Sequence, residues 1–212
     1  MSGTLIMAAC PTTPAAATES TRDTTPGRVT ESPLRRPLVL VGLMGAGKSS
    51  IGRRLAQRLG VAFADADTEI EEAAGRTIPE IFEAFGEEEF RNGERRVIRR
   101  LIEGGGPSVL ATGGGAFMAD DTRALIRERA TSLWLKADFE TLFERVSKRS
   151  NRPLLKTADP KATLRDLMAK RYPVYAEADI VVETRRVPIE ETVDKVYHAV
   201  LDHFDREATP SP

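Results

Sequence analysis

The stretch that decides the fold is residues 37–59, which read PLVLVGLMGAGKSSIGRRLAQRL. Residues 38–41 form a continuous apolar run, which is typical of a short strand buried on both faces of a parallel sheet. Ile51 and Leu55 then follow at four-residue spacing, which predicts the apolar face of a helix. Between the strand and the helix, residues 42–49 match the pattern G-x-x-x-x-G-K-[ST] of a loop that binds nucleotide phosphates. This order of strand, loop and helix predicts a nucleoside triphosphate site.

The residue types of this loop suit phosphate chemistry. Its glycines let the backbone curl so that N–H groups point at phosphate oxygens, and the helix start adds the positive end of its dipole. Lys48 is expected to reach the β- and γ-phosphates, and the Ser49 hydroxyl to coordinate Mg²⁺. The motif alone leaves open whether the protein is a kinase, an ATPase or a GTPase switch. The predicted ATP-binding residues of the loop are Gly45, Ala46, Gly47, Lys48, Ser49 and Ser50.

Strands and helices alternate along the rest of residues 37–205. Further strands are predicted at residues 108–112, 132–135 and 180–182, with one more short strand ending near Phe63. Helical patterns cover residues 87–103, 120–129, 139–149, 163–175 and 188–204. Helical spacing also places Ile78, Ile81, Phe82 and Phe85 in the expected core. This alternation predicts parallel strands with right-handed crossovers, and therefore a three-layer α/β sandwich.

The composition excludes several classes of protein. Of 212 residues, 41% are apolar and 30% are charged, so the chain can bury a core. The 31 basic and 32 acidic side chains give a net charge of -1, which argues against a nucleic-acid or membrane-surface binder. Cys10 is the single cysteine, so an internal disulfide is impossible, and no apolar run reaches the roughly 18 residues that span a bilayer. We expect a soluble cytoplasmic protein.

Residues 1–36 differ from the rest of the chain in composition. They contain eight Thr and four Pro, and the first aromatic residue of the whole sequence is Phe63. Such a segment buries too little apolar surface to offset its ordering entropy. We therefore expect a disordered N-terminal tail at residues 1–36, a folded domain at residues 37–205 and a disordered end at residues 206–212.

Two carboxylates follow the second predicted strand in the sequence FADAD at residues 63–67. Asp65 and Asp67 would lie at the sheet edge that carries the phosphate-binding loop. One of them can hold the hydration shell of Mg²⁺, and the other can accept a hydrogen bond from an attacking hydroxyl. An alternative remains open for Asp67, which could simply cap the helix that follows.

Two other features suit a ligand but also have ordinary structural explanations. Residues 112–116 read TGGGA after a buried strand, and consecutive glycines permit close approach of a ligand or serve as a flexible connection. Arg91 lies in a charged helix, where it is either a functional cation or a solvated surface residue. Glu94, three residues later on the same face, could hold Arg91 in place.

Five motifs in one order resemble the bacterial shikimate kinases over roughly residues 37–205. They are the loop at residues 42–49, FADAD at 63–67, G-x-x-I…G-E-x-x-F-R at 75–91, GGGA at 113–116 and NRPLL at 151–155. The resemblance implies a P-loop kinase fold with a five-stranded parallel sheet, a substrate-binding segment at residues 65–95 and a mobile lid at residues 145–161. It also implies transfer of the γ-phosphoryl group of ATP to the 3-hydroxyl of shikimate, in the biosynthesis of chorismate and aromatic amino acids.

Carried over position by position, the resemblance implies roles on the acceptor side. Asp67 would grip the reacting hydroxyl, and Asp65 would lie near the water shell of Mg²⁺. Arg91 and Arg171 would clamp the shikimate carboxylate, for which planar guanidinium groups are better suited than lysine. Gly114 would contact the ring through its backbone.

On the nucleotide side, the resemblance implies three arginines. Arg152 matches a lid arginine that moves onto the phosphates, Arg145 one that lies against the adenine, and Arg186 a further ATP contact. The catalytic residues implied are Lys48, Asp67 and Arg152, and the metal ligands are Ser49 and, through water, Asp65.

The alternatives are a related small-molecule kinase such as a gluconate kinase, or a module that binds nucleotide without turnover. A GTPase switch would be expected to carry an N-K-x-D motif, which the sequence lacks. The expected partners are ATP and shikimate, with Mg²⁺ as cofactor, and neither nucleic acid nor membrane. The protein is expected to be a monomer.

Overall fold

The computed structural model describes residues 32–148 and 159–209. The strands are β1 (Leu38–Val41), β2 (Ala62–Asp65), β3 (Ser108–Ala111), β4 (Thr131–Ala137) and β5 (Ile180–Thr184). The helices are α1 (Lys48–Leu59), α2 (Ala66–Ala74), α3 (Ile78–Glu103), α4 (Asp120–Arg129), α5 (Phe139–Ser147), α6 (Pro160–Tyr175) and α7 (Ile189–Ala208). A 3₁₀ turn covers Ala116–Met118.

The five strands form one parallel sheet in the order β2-β3-β1-β4-β5, which confirms the predicted α/β fold. β1 lies between β3 and β4, and all four of its residues are buried, as its apolar run predicts. From β1 the chain passes to the edge strand β2, returns to β3 beside β1, and then crosses to β4 and β5 on the other side. This change of direction opens a crevice at the carboxyl end of β1, where ligands of such sheets bind. The phosphate-binding loop follows β1 at that position.

Within the part of the chain that the structure describes, the buried apolar side chains form two separate clusters. The large cluster surrounds the sheet and includes Trp134, which is 4% exposed. The small cluster consists of Ile70 of α2 and of Ile81 and Phe90 of α3. Its partly buried apolar neighbours belong to α3. Phe85, which was expected in the core, is 57% exposed, so this expectation is wrong.

A backbone kink explains why helical spacing misplaces Phe85. Gly86 has a φ of 82° inside α3, a conformation that glycine adopts without strain. The kink divides α3 into residues 78–85 and a long helix from residue 87, and the second part begins where the sequence predicts a helix. An uninterrupted helical face therefore does not extend across Gly86.

The folded domain begins before the expected boundary at residue 37. Leu34 is 2% exposed and belongs to the large cluster. Arg36 Nε donates a hydrogen bond to Thr131 Oγ1 at 2.8 Å, and its Nη2 lies 2.8 Å from Glu207 Oε1. The described residues 32–36 thus pack as part of the domain, and α7 continues past residue 205. The average composition of residues 1–36 does not reveal that one leucine within them packs in the core.

We expect Leu34→Ala to lower the free energy of unfolding by about 2–4 kcal/mol, because it leaves a cavity in the large cluster. The kcat should not change, because Leu34 precedes β1 and is therefore at the amino end of that strand, whereas the crevice is at its carboxyl end. Urea unfolding measures the first quantity and a turnover assay the second. Leu34→Met, which conserves volume, should cost less than about 1.5 kcal/mol. A loss below about 0.5 kcal/mol for the alanine variant would show that Leu34 does not pack in the core.

The described part of the chain contains no helix that is both long enough and apolar enough to span a membrane.

Candidate active site

A cavity of about 530 Å³ lies at the carboxyl end of β1. The loop after β1, the end of β2, the glycines after β3, the helix α5 and the segment after β5 all contribute to its wall. The residues that line it are Met44, Gly45, Gly47, Lys48, Ser49, Ser50, Ile51, Asp65, Asp67, Thr112, Gly113, Gly114, Arg145, Lys148, Val187, Ile189 and Thr192. Most of the residues predicted from the phosphate-binding motif therefore share one cavity with the two aspartates.

The phosphate loop, residues 42–49, has the geometry of an anion site. Gly45 has a φ of 83°, and a Cβ there would lie 2.9 Å from Val146 Cγ1, so a larger residue would be strained. Lys48 Nζ donates hydrogen bonds to Gly42 O at 2.8 Å and Leu43 O at 3.1 Å, which hold the side chain along the loop. No side chain caps the start of α1, so its first N–H groups suit an anionic ligand.

Asp65 and Asp67 lie at the junction of β2 and α2. Asp65 caps α2, since its Oδ1 accepts a hydrogen bond from the backbone N–H of Asp67 at 3.1 Å. The alternative role of Asp67 as the helix cap is therefore wrong. Both side chains line the cavity.

Arg91 is held in place by carboxylates on its own helix. Its Nη1 lies 2.7 Å from Glu94 Oε2 and its Nη2 lies 3.2 Å from Glu87 Oε1. Glu94 is 2% exposed, and burial raises its pKa even though the Arg91 guanidinium opposes the shift. Burial would lower the pKa of Arg91, but the two carboxylates outweigh it and raise the pKa. Arg91 is thus a positioned cation and not a solvated surface residue.

The triglycine segment, residues 113–115, is surrounded by charged side chains. A Cβ on Gly113 would lie 2.6 Å from Glu94 Oε1 and 3.0 Å from Asp67 Oδ1. Arg171, which is 9% exposed, donates from Nη1 to Gly114 O at 2.9 Å. The guanidinium of Arg91 packs where a Cβ of Gly115 would be, 2.6 to 2.7 Å away. These contacts require glycine at closely packed positions, which a merely flexible connection would not.

The arginines that were predicted to contact ATP differ in their positions relative to the cavity. Arg145 lines the cavity and donates to Gly45 O and to Arg185 O, both at 3.3 Å. Arg186 pairs with Glu144 and is not among the lining residues. Arg152 lies outside the described residues, as does most of the predicted lid.

Sequence reasoning missed one wall of the cavity. Val187, Ile189 and Thr192 follow β5 and line the cavity. The sequence could have indicated them in one way only: the segment that follows a parallel strand begins at the carboxyl end of the sheet, as the loop after β1 does. Lys148 also lines the cavity and pairs with Glu144 at 2.7 Å.

The donor set of the cavity fits a magnesium ion that arrives with phosphates. Ser49 and Asp65 both offer oxygen atoms, which Mg²⁺ prefers, and this ion commonly uses one or two protein oxygens together with substrate phosphates and water. Within residues 32–148 and 159–209, no group of three or more His, Cys, Asp or Glu side chains could hold a metal ion.

Comparison with known proteins gives consistent matches. A family model described as shikimate kinase matches residues 44–201. The shikimate kinase of Rhodopseudomonas palustris is 58% identical over 177 residues, which cover 84% of this chain and 86% of that protein. The solved structure of a shikimate kinase from Acinetobacter baumannii in complex with shikimate is 39% identical with a TM-score of 0.75, and the match covers 79% of this chain and 94% of that chain. A gluconokinase structure from Sinorhizobium meliloti is 18% identical with a TM-score of 0.52 over 82% of this chain and 94% of that chain, a likeness of fold alone.

Proposed function

We propose roles for the residues of the cavity on the premise that this chain belongs to the shikimate kinase family. The protein is an ATP-dependent enzyme that phosphorylates the 3-hydroxyl of shikimate and releases ADP. The observation that supports this assignment most directly concerns the triglycine segment, because Gly113 and Gly114 line the same cavity as the phosphate loop. Arg91 and Arg171 contact this segment, although they are not among the residues that line the cavity. A positively charged clamp beside a phosphate site suits an anionic acceptor.

On the acceptor side, we propose that Arg91 and Arg171 bind the shikimate carboxylate. A guanidinium has five N–H donors, and the hydrogen bonds of Arg91 to Glu94 and Glu87 use two of them. The remaining donors can form the bidentate pair that a carboxylate favours. The backbone of Gly114 would contact the ring of the substrate.

We propose that Asp67 accepts a hydrogen bond from the 3-hydroxyl and orients it for attack on the γ-phosphorus. Its side chain lines the cavity together with Lys48, so both can reach one bound pair of substrates. Phosphoryl transfer depends mainly on such positioning and on charge stabilisation, with little covalent work for the protein. The proton of the hydroxyl can leave through this carboxylate as the new P–O bond forms and the bond between the γ-phosphorus and the bridging oxygen breaks, with ADP as the leaving group.

On the nucleotide side, the backbone N–H groups of residues 45–50 and the Lys48 ammonium group would bind the phosphates, and Arg145 would lie against the adenine. We retain Arg152 and Arg186 as proposed ATP contacts that only the family resemblance supports. Ser49, and Asp65 through water, would hold Mg²⁺, which neutralises phosphate charge when bound.

The deciding experiment is an assay of ADP release with shikimate, gluconate and nucleoside monophosphates as acceptors. Shikimate should be the preferred acceptor by a large margin in kcat/KM. A preference for gluconate would favour the related sugar-acid kinases, and nucleotide binding without acceptor-dependent ADP release would favour a non-catalytic module. Both outcomes would contradict the proposed function.

We further propose that the enzyme acts as a cytoplasmic monomer on small molecules. The near-balance of 31 basic and 32 acidic side chains supports small-molecule substrates over a polyanionic partner. Sedimentation at several protein concentrations would test the oligomeric state.

We expect Gly115→Ala to raise the KM for shikimate by about tenfold while the melting temperature changes little. The new Cβ would lie 2.6 Å from Arg91 Nη1, and Gly115 has an ordinary φ of -99°, so the guanidinium and not the backbone has to move. Gly106→Ala is the matched control, since no other described residue beyond its chain neighbours has an atom within 4 Å of its Cβ position. Equal effects of the two substitutions on KM would refute the assigned position of Arg91.

A further inference from the structure

We propose that Tyr175 is a positioning residue that fixes the triglycine segment against the phosphate loop, so that the acceptor hydroxyl is aligned with the transferred phosphoryl group. The inference rests on the proposed function, because it concerns how two substrates meet in one cavity. Tyr175 belongs to no motif considered above, and it is not among the residues that line the cavity.

The contact that motivates this inference is made by the last residue of α6. Tyr175 is 1% exposed, and its hydroxyl donates a hydrogen bond to Gly114 O. Arg171 lies four residues earlier on the same helix face and donates to the same oxygen at 2.9 Å. Burial raises the pKa of Tyr175 to about 12, so the hydroxyl stays protonated and remains a donor across neutral and mildly alkaline pH.

Gly114 also lies beside the phosphate loop. A Cβ at Gly114 would lie 3.4 Å from Met44 N and 3.6 Å from Gly42 O, which are ordinary contact distances. Gly42 O also accepts the hydrogen bond from Lys48 Nζ at 2.8 Å. Gly114 is therefore the point at which the acceptor side of the cavity touches the phosphate side.

Two donors on one carbonyl determine the orientation of the whole peptide unit. The peptide between Gly114 and Gly115 is planar and trans, so its N–H points away from α6 once the carbonyl is fixed toward it. A glycine segment without such an anchor has many accessible backbone conformations. Because misplacement by about 1 Å can lower a rate by about a hundredfold, anchoring this segment bears directly on catalysis.

The ring of Tyr175 is itself fixed by packing that does not involve Arg171. Its centroid lies 5.9 Å from that of Trp134 in β4 and 6.4 Å from that of Phe117, which follows the triglycine segment. The Tyr175 hydroxyl is therefore held at Gly114 O by the packing of its ring as well as by its own hydrogen bond. Arg171 has further N–H donors besides the one that it gives to Gly114 O. Tyr175 thus anchors the segment alone, whereas Arg171 would serve both the segment and the substrate.

The test is Tyr175→Phe, which removes the hydroxyl and keeps the ring. We expect the Kd and KM for shikimate to rise by about fivefold, within the roughly 2- to 12-fold range of a single hydrogen bond, while ADP affinity stays within about twofold of wild type. The kcat should fall as well, because the acceptor hydroxyl is less well aligned with the phosphoryl group. Tyr172→Phe is the matched control, because Tyr172 lies on the same helix and its hydroxyl donates to the backbone carbonyl of Ala137 in β4. It should lower the melting temperature to a similar degree and leave the shikimate KM unchanged.

Calorimetric titration with shikimate and with ADP, together with steady-state kinetics, separates the outcomes. A shikimate-specific loss in Tyr175→Phe alone supports the inference. Equal changes of KM in both variants, an unchanged KM in Tyr175→Phe, or a parallel loss of shikimate and ADP affinity would each overturn it. If wild-type protein does not phosphorylate shikimate, the proposed function fails and this inference with it, whereas an active wild type with an unaffected Tyr175→Phe refutes the inference alone.

Discussion

Replacing Lys48 with alanine should lower kcat by a factor of about 10² to 10³ or more while the fold stays intact. The ammonium group neutralises charge that grows on the transferring phosphoryl group, and loss of one such group in a dry site commonly has this effect. The side chain also donates to Gly42 O and Leu43 O, so the variant loses two bonds that hold the phosphate loop. ADP affinity should therefore fall as well, and the melting temperature should stay close to that of wild type.

The control for Lys48→Ala is Lys195→Ala. Lys195 Nζ likewise donates to a backbone carbonyl, that of Glu183, at 3.0 Å, but it lies in α7 and does not line the cavity. Its removal should leave kcat unchanged. If Lys48→Ala kept its kcat within about tenfold of wild type, a difference of roughly 1.4 kcal/mol in the barrier, the assigned role of Lys48 would be wrong.

Replacing Arg91 or Arg171 with alanine should weaken shikimate binding by about 30-fold or more, while ADP binding measured alone changes little. Removal of one partner from a desolvated charge pair typically costs about 2–5 kcal/mol. Lysine at position 91 should restore binding only in part, because a point charge does not reproduce the planar fork of arginine. Calorimetric titration of each variant with both ligands measures the two affinities separately.

A destabilised fold would have to be distinguished from a lost contact in these variants. Arg91→Ala leaves the buried carboxylate of Glu94 without its ion-pair partner, so some loss of stability is expected. Arg91→Ala combined with Glu94→Gln should recover stability but not shikimate affinity. Arg95→Ala, one turn along α3 and paired with Asp121 at 3.4 Å, is the matched surface control. An Arg91→Ala variant that binds shikimate normally and loses ADP would require a different acceptor site.

The sequence predicts the centre of this fold well because the signals there are local. The apolar run of β1, the glycines of the phosphate loop and the amphipathic face of α1 lie within residues 37–59, and each has its own physical cause. The pair of Arg91 and Glu94 is predicted for the same reason, since helix geometry brings residues three apart together.

Contacts between distant segments are what the sequence does not predict. Leu34 packs into the core beyond a composition boundary. Phe85 is a different case, since it turns outward because of the kink at the adjacent Gly86, which helical spacing does not reveal. Tyr175 and Gly114 are 61 residues apart, and no periodic pattern relates them. Such contacts depend on how the helices pack around the sheet, which a pattern of apolar spacing leaves undetermined.

The separation of the two apolar clusters links the binding of an acceptor to the local stability of the smaller cluster. Arg91 adjoins Phe90 of the small cluster, whereas Arg171 projects from α6, whose Leu164 and Tyr175 belong to the large cluster. The small cluster has few buried side chains, although α3 also reaches the large cluster through Ile98 and Ile102. A carboxylate bound by both proposed arginines would therefore be a non-covalent cross-link between α3 and the end of α6. By mass action, such a ligand would stabilise the packing of α2 and the first half of α3 against local opening.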